Sequence, residues 1–450
     1  MMAPNHAPDP VDLQHALAAE LPPNALGRPD PERDVVDGVR PALCARINTP
    51  DAVAAALAVC QRLGAVVVPR GGGTHLGIGA PPERVDLLLD LSGLDEVIEY
   101  RPEDLTLAVA AGARLADVQT LLAEAGQMLA LDPAGAPAST IGGMVAADRS
   151  GPRRAGSGTS RDLVIGLEVA GVNGLVTRSG GMVVKNVTGY DLPKAHIGAL
   201  GTLGIITRVN LKITPRPSVE CTLVTPLADP AAAGSAIGAV IDSPLVPSGF
   251  DLVQRTLTSD LDVGGQAAWL LAIRVAGTEG GVGAQLAMAT QSVAQHAAGA
   301  AVTLDGQAQK RFWSDADALA RPPNDLGSQT TCRLSALSSQ APSLLGSAAE
   351  IGGDLGLRTL ASARALNGVL RVRASGTDAA DVLTAFVQRL RAAAERLGGA
   401  LVIESAPVAV KQTAGVWGVA ADAPDVQAMD ALRSAFDPGR IINRGRFVVA

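Results

Sequence analysis

The sequence predicts a layered fold of helices and strands, α/β or α+β, that divides into two or three packed units. The chain has 450 residues, and a single hydrophobic core rarely serves more than about 250–300 residues. Apolar residues make up 47% of the chain but aromatic residues only 2%, so Ala, Val, Leu and Ile must fill the interior. Helix-periodic segments alternate with short apolar runs of strand length, as expected where helices pack on sheets.

The first regular elements lead into a glycine-rich loop. Thr49-Pro50 predicts the N-cap and first residue of a helix through residues 52–63, which ends at Gly64. A short buried strand at residues 65–69 follows and enters the loop directly. Later in this part of the chain we predict strands at 85–91, 106–110 and 205–213, a helix at 115–125, and two strands within 162–176 joined by a two-residue turn at Asn173-Gly174.

Proline and composition indicate where the chain divides. Pro215 and Pro217 close the first region. The sequence after them predicts Ala- and Gly-rich helices separated by short strands at 269–275 and 369–374. We predict a polar leader at 1–33 with a helical pattern at 11–20, a first domain at 34–217, a second domain at 218–425, and a C-terminal segment at 426–450. The last segment should return to the first domain after a helix at 426–436.

Charge and cysteine content exclude several classes of function. The net charge of -7 and the pI near 5.3 argue against nucleic acid, which requires clustered Lys and Arg. The four cysteines lie far apart and form no C-x-x-C pair, which excludes the usual zinc and iron–sulfur frameworks and suits a reducing compartment. Neither a signal peptide nor a membrane-spanning run is recognised. We therefore expect a cytoplasmic protein that contacts the inner membrane, if at all, through partner subunits.

Three glycine-containing loops predict a site for an extended anionic ligand. Arg70-Gly71-Gly72-Gly73-Thr74 can bring its backbone close to a ligand and aim several N–H groups at one anionic group. Ser139-Thr140-Ile141-Gly142-Gly143 and residues 198–204 are the second and third loops. A lone triple glycine is more often a tight surface turn, but three such loops together favour a pyrophosphate site.

Two other nucleotide-binding patterns do not account for these glycines. Gly77-Ile78-Gly79 leads into Pro81-Pro82 rather than into a helix, so it is not a Rossmann fingerprint. The G-x-x-x-x-G-K-[ST] phosphate loop is also missing from the sequence.

Six segments, in their order along the chain, resemble motifs of the FAD-linked oxidases. These proteins share the FAD domain of the p-cresol methylhydroxylase (PCMH) type. The matching segments are 66–74 (VVVPRGGGT), 139–143 (STIGG), 161–166 (RDLVIG), 185–191 (KNVTGYD), 200–207 (LGTLGIIT) and, as a second anchor, 436–443 (FDPGRIIN). The 185–191 run is specifically similar to the FAD-binding subunit of bacterial glycolate oxidase. The resemblance implies an α+β fold, in which a PCMH-type FAD-binding domain of two subdomains is followed by an α+β cap domain.

The resemblance also implies which residues hold the cofactor. Pyrophosphate contacts fall on residues 70–74, the flavin and its phosphates lie against Pro133 and residues 140–143, and Ile206 lies near the adenine. The full expected set is Pro69, Arg70, Gly71, Gly72, Gly73, Thr74, Pro133, Thr140, Ile141, Gly142, Gly143, Asp162, Gly204, Ile205 and Ile206. Because the linking histidine of relatives falls closer to Thr74 than to His75, we expect FAD to be bound non-covalently.

Candidates for catalysis are fewer. Oxidation of a 2-hydroxy acid needs a cation for the carboxylate and a base for the hydroxyl proton. Lys185 and Tyr190 lie in the segment on the flavin side, where Tyr190 could equally be structural. Arg371 and Arg373 alternate on one predicted strand and so share a face, where they could hold a carboxylate or simply be solvated.

No metal is expected, because the H-x-G-D-G-N motif of related hydroxy-acid dehydrogenases is missing and only one histidine follows residue 200. The first functional hypothesis is an FAD-binding subunit of a glycolate oxidase complex that oxidises a small 2-hydroxy acid together with a second flavoprotein subunit and an iron–sulfur subunit. The alternatives are a self-sufficient FAD-dependent oxidase or dehydrogenase of another hydroxy acid or alcohol, and a non-catalytic assembly subunit that contains FAD.

Overall fold

The structure is a computed structural model and describes residues 7–135, 137–184, 189–258, 267–323, 327–420 and 422–449. In chain order, the elements of its first part are α1 (Pro10–Glu20), β1 (Leu26–Gly27), β2 (Leu43–Arg46), α2 (Pro50–Leu63), β3 (Val67–Arg70), β4 (Leu87–Asp90), β5 (Val97–Arg101), β6 (Thr106–Ala110), α3 (Leu115–Glu124), β7 (Gln127–Met128), α4 (Ile141–Ala146), α5 (Arg154–Ser157), α6 (Ser160–Leu163), β8 (Val164–Ala170), β9 (Val176–Gly180), α7 (Pro193–His196), β10 (Ile205–Lys212) and β11 (Thr214–Pro215). We call this part the N-terminal unit.

The second part, here the C-terminal unit, contains a larger sheet. Its elements are β12 (Val219–Leu227), α8 (Pro230–Ile241), β13 (Gly249–Gln254), β14 (Trp269–Gly277), α9 (Glu279–Val293), β15 (Val302–Leu304), α10 (Gly306–Ala316), β16 (Gln329–Ser335), α11 (Ala341–Asp354), β17 (Arg358–Arg364), β18 (Val369–Ser375), α12 (Ala380–Arg396), β19 (Ala400–Ser405), α13 (Val408–Ala414) and α14 (Pro424–Phe436).

Helix α2 shows why local sequence places these elements. The Thr49 side chain accepts a hydrogen bond from the backbone N–H of Ala52, and Pro50 occupies the first helical position. At the other end Gly64 has φ 69°, the left-handed conformation that closes helices. The predicted caps of this helix are confirmed.

Two sheets build the N-terminal unit. The first has the order β1-β2-β4-β3, in which β2, β4 and β3 run parallel. The second has the order β5-β6-β10-β8-β9 and is antiparallel throughout. Both predicted strands flanking Asn173-Gly174 exist and pair, but they are joined by residues 171–175, so the expected two-residue turn is wrong. The turn is longer because Gly174 N–H donates to Gly171 O at 3.1 Å, which closes it around Val172 and Asn173, and Gly174 then takes φ 79°.

The leader is not uniformly polar, because helix α1 belongs to the core. Leu13 and Leu17 are completely buried and pack in the same apolar cluster as Val53 and Leu57 of α2. Helix α1 begins with an Asp9 N-cap whose side chain accepts from Val11 N–H.

The C-terminal unit is an antiparallel sheet of eight strands in the order β15-β12-β14-β13-β17-β18-β16-β19. One face packs on α8, α9, α11 and α12 through residues such as Leu252 and Val372. Because side chains alternate along a strand, the residues next to Leu252 and Val372 point to the opposite face of the sheet. That second face carries buried charges, among them Asp251 and Arg371.

Residues 441–443 return to the N-terminal unit and form an isolated parallel β-bridge between Val67 and Ile442. Val67 N–H donates to Ile441 O at 2.8 Å, and Asn443 N–H donates to Val67 O at 2.8 Å. Residues 437–447, here called the C-terminal strip, therefore pass beside β3, the strand that enters the glycine loop. In the described part of the chain no helix has the length and apolar character needed to cross a membrane.

Candidate cofactor and active site

Two cavities meet at the glycine loop after β3. The smaller, about 120 Å³, has largely apolar walls that include Ile205, Ile206 and Leu200. The larger, about 1220 Å³, extends between the N-terminal unit and the polar face of the large sheet. Both are lined by residues 70–76, so the loop lies where an extended ligand would pass from one cavity to the other.

The glycines of this loop are required by the close approach of the segment before α4. A Cβ atom on Gly71 would lie 2.1 Å from Thr140 Oγ1, and one on Gly72 would lie 1.8 Å from Ala138 O. Thr140 is the N-cap of α4 and accepts from Gly143 N–H. The predicted second loop is thus a helix N-terminus packed against the first.

The loop presents donors to the cavities. Among the described residues, no acceptor receives a hydrogen bond from the backbone N–H groups of Gly71, Gly72, Gly73 or Thr74. Gly71 and Thr74 are half-buried and Gly72 and Gly73 are exposed, so all four N–H groups remain open to a ligand. Four successive donors at the junction of two cavities therefore fit an anionic group such as a pyrophosphate.

The Arg70 side chain holds the loop in place rather than reaching into it. Its guanidinium forms ion pairs with Asp34 and with Asp90, the latter at 2.7 Å, and is buried. Burial opposes ionisation of Asp34, but hydrogen bonds from Arg33 and Arg70 outweigh it and hold the pKa of this carboxyl well below its usual range. Arg70 lines both cavities, and its predicted contact with the cofactor stays a prediction.

Two cations near the end of the chain fix the other side of the loop. Lys411 Nζ donates to Asp37 at 2.7 Å and to Gly77 O at 2.6 Å, and Lys411 is buried. Arg446 donates to Asp37 at 3.3 Å, to Ile78 O at 2.9 Å and to Leu76 O. The C-terminal strip is therefore part of the cavity wall.

His75 is a neutral side chain between the loop and the large cavity. Its Nδ1 lies 2.8 Å from Thr74 Oγ1. Burial, reinforced by the positive charge of Arg149, lowers the pKa of His75 to about 3. The imidazole therefore adds no charge to the site at neutral pH.

Glu404 lies on the wall of the large cavity and pairs with three arginines, of which Arg149 also lines that cavity whereas Arg333 and Arg371 do not. Glu404 lies 2.5 Å from Arg149 Nη1, 2.8 Å from Arg371 Nε and 3.5 Å from Arg333 Nε. Burial opposes the charged form, yet these arginines hold the pKa of Glu404 well below its usual range. We call these four residues the arginine cluster; its formal charge is +2. Arg149 belongs to the N-terminal unit, so the cluster also joins the two units.

The predicted catalytic residues have different surroundings. Arg371 and Arg373 share a face of β18 as expected. Arg371 is bound to Glu404, whereas Arg373 donates to Thr331 Oγ1 at 2.9 Å and to Arg321 O at 2.5 Å, both acceptors being uncharged. Tyr190 is 93% exposed and lines neither cavity.

Lys185 lies outside the described residues. The roles expected for these four residues in catalysis remain predictions.

The expected cofactor residues are only partly brought together. Those that line one or both cavities are Pro69, Arg70, Gly71, Gly72, Gly73, Thr74, Thr140, Gly142, Gly143, Ile205 and Ile206. Pro133, Ile141, Asp162 and Gly204, all described, line neither. Asp162 has a local task, since its carboxylate accepts from Thr159 N–H and completes a capping box. Ile141 is buried in the apolar core.

Sequence reasoning missed Leu200, Asn443 and Arg446, which line the small cavity. Leu200 stands within the third glycine segment, and Asn443 ends the FDPGRIIN anchor, so both lay in segments already singled out. Nothing in the sequence placed Arg446 there. No group of three His, Cys, Asp or Glu residues suited to a metal is present among the described residues.

The fold is that of the PCMH type, in which an FAD-binding domain is followed by a second α+β domain. Solved structures with this fold include p-cresol methylhydroxylase with bound substrate, with a TM-score of 0.76 at 16% identity over 99% of this chain and 98% of that one. Alkyldihydroxyacetonephosphate synthase gives a TM-score of 0.72 at 16% identity over 99% of this chain and 87% of that one. At this identity the likeness shows the fold alone.

Sequence profiles match an FAD binding domain at residues 41–190 and the C-terminal domain of FAD linked oxidases at residues 216–447. The chain belongs to the FAD-linked oxidases, and FAD is its cofactor. The open N–H groups of residues 71–74 and the paired cavities fit this cofactor, and the pyrophosphate contacts of these residues stay a prediction.

Relatives of known description include glycolate oxidase subunits. Subunit GlcD of Bacillus subtilis is 33% identical over 214 residues, which are 48% of this chain and 45% of that protein. Subunit GlcE of Escherichia coli is 39% identical over 128 residues, 28% of this chain and 37% of that protein. The chain thus matches less than half the length of these relatives.

Proposed function

We propose that the chain is the FAD-binding subunit of a dehydrogenase complex that oxidises a small 2-hydroxy acid, glycolate, to glyoxylate. Electrons would leave through a second flavoprotein subunit and an iron–sulfur subunit. The observation that carries the proposal is the large cavity between the glycine loop and a sheet face rich in arginines. The GlcD and GlcE relatives, described as glycolate oxidase subunits, support this choice of substrate and partners.

The charge of the cavity wall favours a carboxylate substrate. Arg149, Arg371 and Arg333 face a single carboxylate, that of Glu404, and Arg373 is hydrogen-bonded only to neutral oxygen atoms among the described residues. Buried charge without a counterion is costly. An anionic guest beside Arg149 and Glu404, the two members of the cluster that line this cavity, would offset part of that cost.

Arg371 and Arg373 lie outside the residues that line the large cavity, but within this proposal the charge of Arg373 is freer than that of Arg371 to attract the substrate carboxylate. Arg371 already makes two hydrogen bonds to Glu404, at 2.8 and 3.3 Å, so its charge is largely satisfied. Bound FAD supplies the two-electron acceptor for conversion of the alcohol to a carbonyl. The arginines orient the acid, and the sheet covers the site from solvent.

The chain has no evident path for electrons beyond its flavin. Its cysteines Cys44, Cys60, Cys221 and Cys332 are all unpaired, and the described residues hold no cluster suited to a metal. Burial raises the pKa of Cys60 and of Cys332 to about 12, so both stay protonated thiols at neutral pH. A partner that carries redox centres is therefore part of the proposal.

A non-catalytic assembly role is the second candidate, and Glu404 favours it. This carboxylate occupies the arginines that a substrate carboxylate would otherwise use. The flavin would then be structural, and the hydride would be taken up on another subunit.

The test is anaerobic addition of glycolate to the purified chain and to the chain co-expressed with its partners, with the flavin absorbance recorded. The proposal expects bleaching of this chain's flavin in the complex and electron transfer to a quinone analogue. An Arg373→Gln complex should need a higher glycolate concentration for half-maximal bleaching. If the flavin of this chain stays oxidised in an active complex, the assembly role is correct. If the isolated chain turns over, it is a self-sufficient oxidoreductase.

A further inference from the structure

The small cavity contains one side chain whose hydrogen bonding is incomplete. Asn443 lines this cavity and is only 7% exposed. Its Nδ2 donates to Leu200 O at 2.6 Å, whereas its Oδ1 is buried and has no hydrogen-bond partner among the described residues. The neighbouring carbonyl fixes the orientation of the amide, since only the NH₂ end can face an acceptor. The unpaired atom is therefore an acceptor.

The structure holds this acceptor in position from both sides. The Asn443 backbone N–H donates to Val67 O at 2.8 Å, and its carbonyl accepts from Arg446 N–H at 3.1 Å. Asn443 has φ 49°, in the left-handed region that asparagine tolerates better than most residues. A residue fixed by backbone, side chain and conformation, with one acceptor left over, is a preorganised binding group.

The two cavities differ tenfold in size, which assigns the two ring systems of the cofactor. The small cavity holds about 120 Å³ and the large one about 1220 Å³. The purine is the smaller ring system of FAD, and the walls formed by Leu200, Ile205 and Ile206 suit a flat apolar face. The large cavity, which borders the arginine cluster, is left for the flavin and the substrate.

From these observations we propose that Asn443 Oδ1 accepts a hydrogen bond from the 6-amino group of the cofactor's adenine and makes the site selective for that base. The amino group is the one donor on the base edge of adenine, and Asn443 offers one acceptor. Leaving a buried acceptor unpaired is costly, so a purine without the amino group should bind less well. The proposal concerns cofactor binding alone. Its test is therefore independent of whether the proposed substrate is correct.

The test compares FAD with an analogue in which hydrogen replaces the 6-amino group of the purine. The flavin-free full chain is titrated with each, and the two Kd values are obtained from quenching of flavin fluorescence. We expect the analogue to bind about 5- to 100-fold more weakly than FAD to the natural chain. In Asn443→Leu the ratio of the two Kd values should fall to about twofold or less, because neither ligand then finds the acceptor.

Ile206→Ala is the matched control, because it weakens the apolar wall of the same cavity without changing the acceptor. It should raise both Kd values and leave their ratio as in the natural chain. Equal binding of FAD and the analogue by the natural chain would overturn the proposal even if Asn443→Leu did not fold. An unchanged ratio in a folded Asn443→Leu chain would also overturn it, and would place the adenine elsewhere.

Discussion

Removal of the charge at Glu404 should destabilise the chain, because this carboxylate pairs with three arginines. Glu404 Oε1 lies 2.5 Å from Arg149 Nη1, and Oε2 lies 2.8 Å from Arg371 Nε. Glu404→Gln keeps the volume of the side chain and one acceptor oxygen, so it creates no cavity. It does remove the carboxylate that pairs with all three guanidinium groups and leaves Asp148, whose charge acts on Arg149 and Arg333, as a nearby anion.

The expected loss is about 3–5 kcal/mol, the range found when one partner of a buried ion pair is removed. For a domain of about 150–250 residues each kcal/mol lowers the melting temperature by roughly 2–4 °C. Taking the lower end of the range, since Arg333 is partly exposed and contributes less, Glu404→Gln should lower the melting temperature by roughly 6–12 °C. Circular dichroism at neutral pH measures this.

The pH dependence has a definite sign. The folded-state pKa of Glu404 lies below its ordinary value, which is about 4.3 in unfolded chains. The stability from this ionisation is therefore fully present above about pH 5 and is lost as pH falls toward the folded-state pKa. The difference in stability between the natural chain and Glu404→Gln should narrow as the pH is lowered from about 5 to 3.

Asp354→Asn is the control, because it breaks the ion pair with Arg389, whose partners are 45% and 61% exposed. Exposed pairs contribute about 0–1 kcal/mol. The reasoning is refuted if Glu404→Gln costs no more stability than Asp354→Asn, or if the difference between the natural chain and Glu404→Gln stays constant with pH.

Three further outcomes are expected. Gly72→Ala should abolish flavin retention, because its Cβ would lie 1.8 Å from Ala138 O; a variant purified with the natural flavin content would contradict this. Lys411→Met should lower the unfolding free energy by about 3–5 kcal/mol, because Asp37 loses its 2.7 Å partner and keeps Arg446 alone, at 3.3 Å; urea unfolding would show no change if the contact were unimportant. FAD should appear in the supernatant after acid precipitation of the protein, whereas yellow precipitate would show a covalent link.

The ends of individual helices and the family of the protein could be predicted from the amino-acid sequence. Thr49, Pro50 and Gly64 mark the ends of α2 because caps depend on side-chain chemistry within a few residues. The glycine loop at 70–74 was identifiable because it directly follows a buried strand. The ordered motifs then gave the FAD domain and the cofactor.

Only the tertiary structure decided which of these residues share a site. Asp162 was expected at the cofactor, but its carboxylate caps its own short helix. In a sequence, an aspartate that caps a helix looks the same as one that contacts a ligand. Arg371 became a partner of Glu404, a residue 33 positions away, and Arg149 joined them across the two units. Asn443 lines the small cavity because residues 441–443 bond to β3. This contact joins segments far apart in the sequence, and local sequence patterns do not predict it.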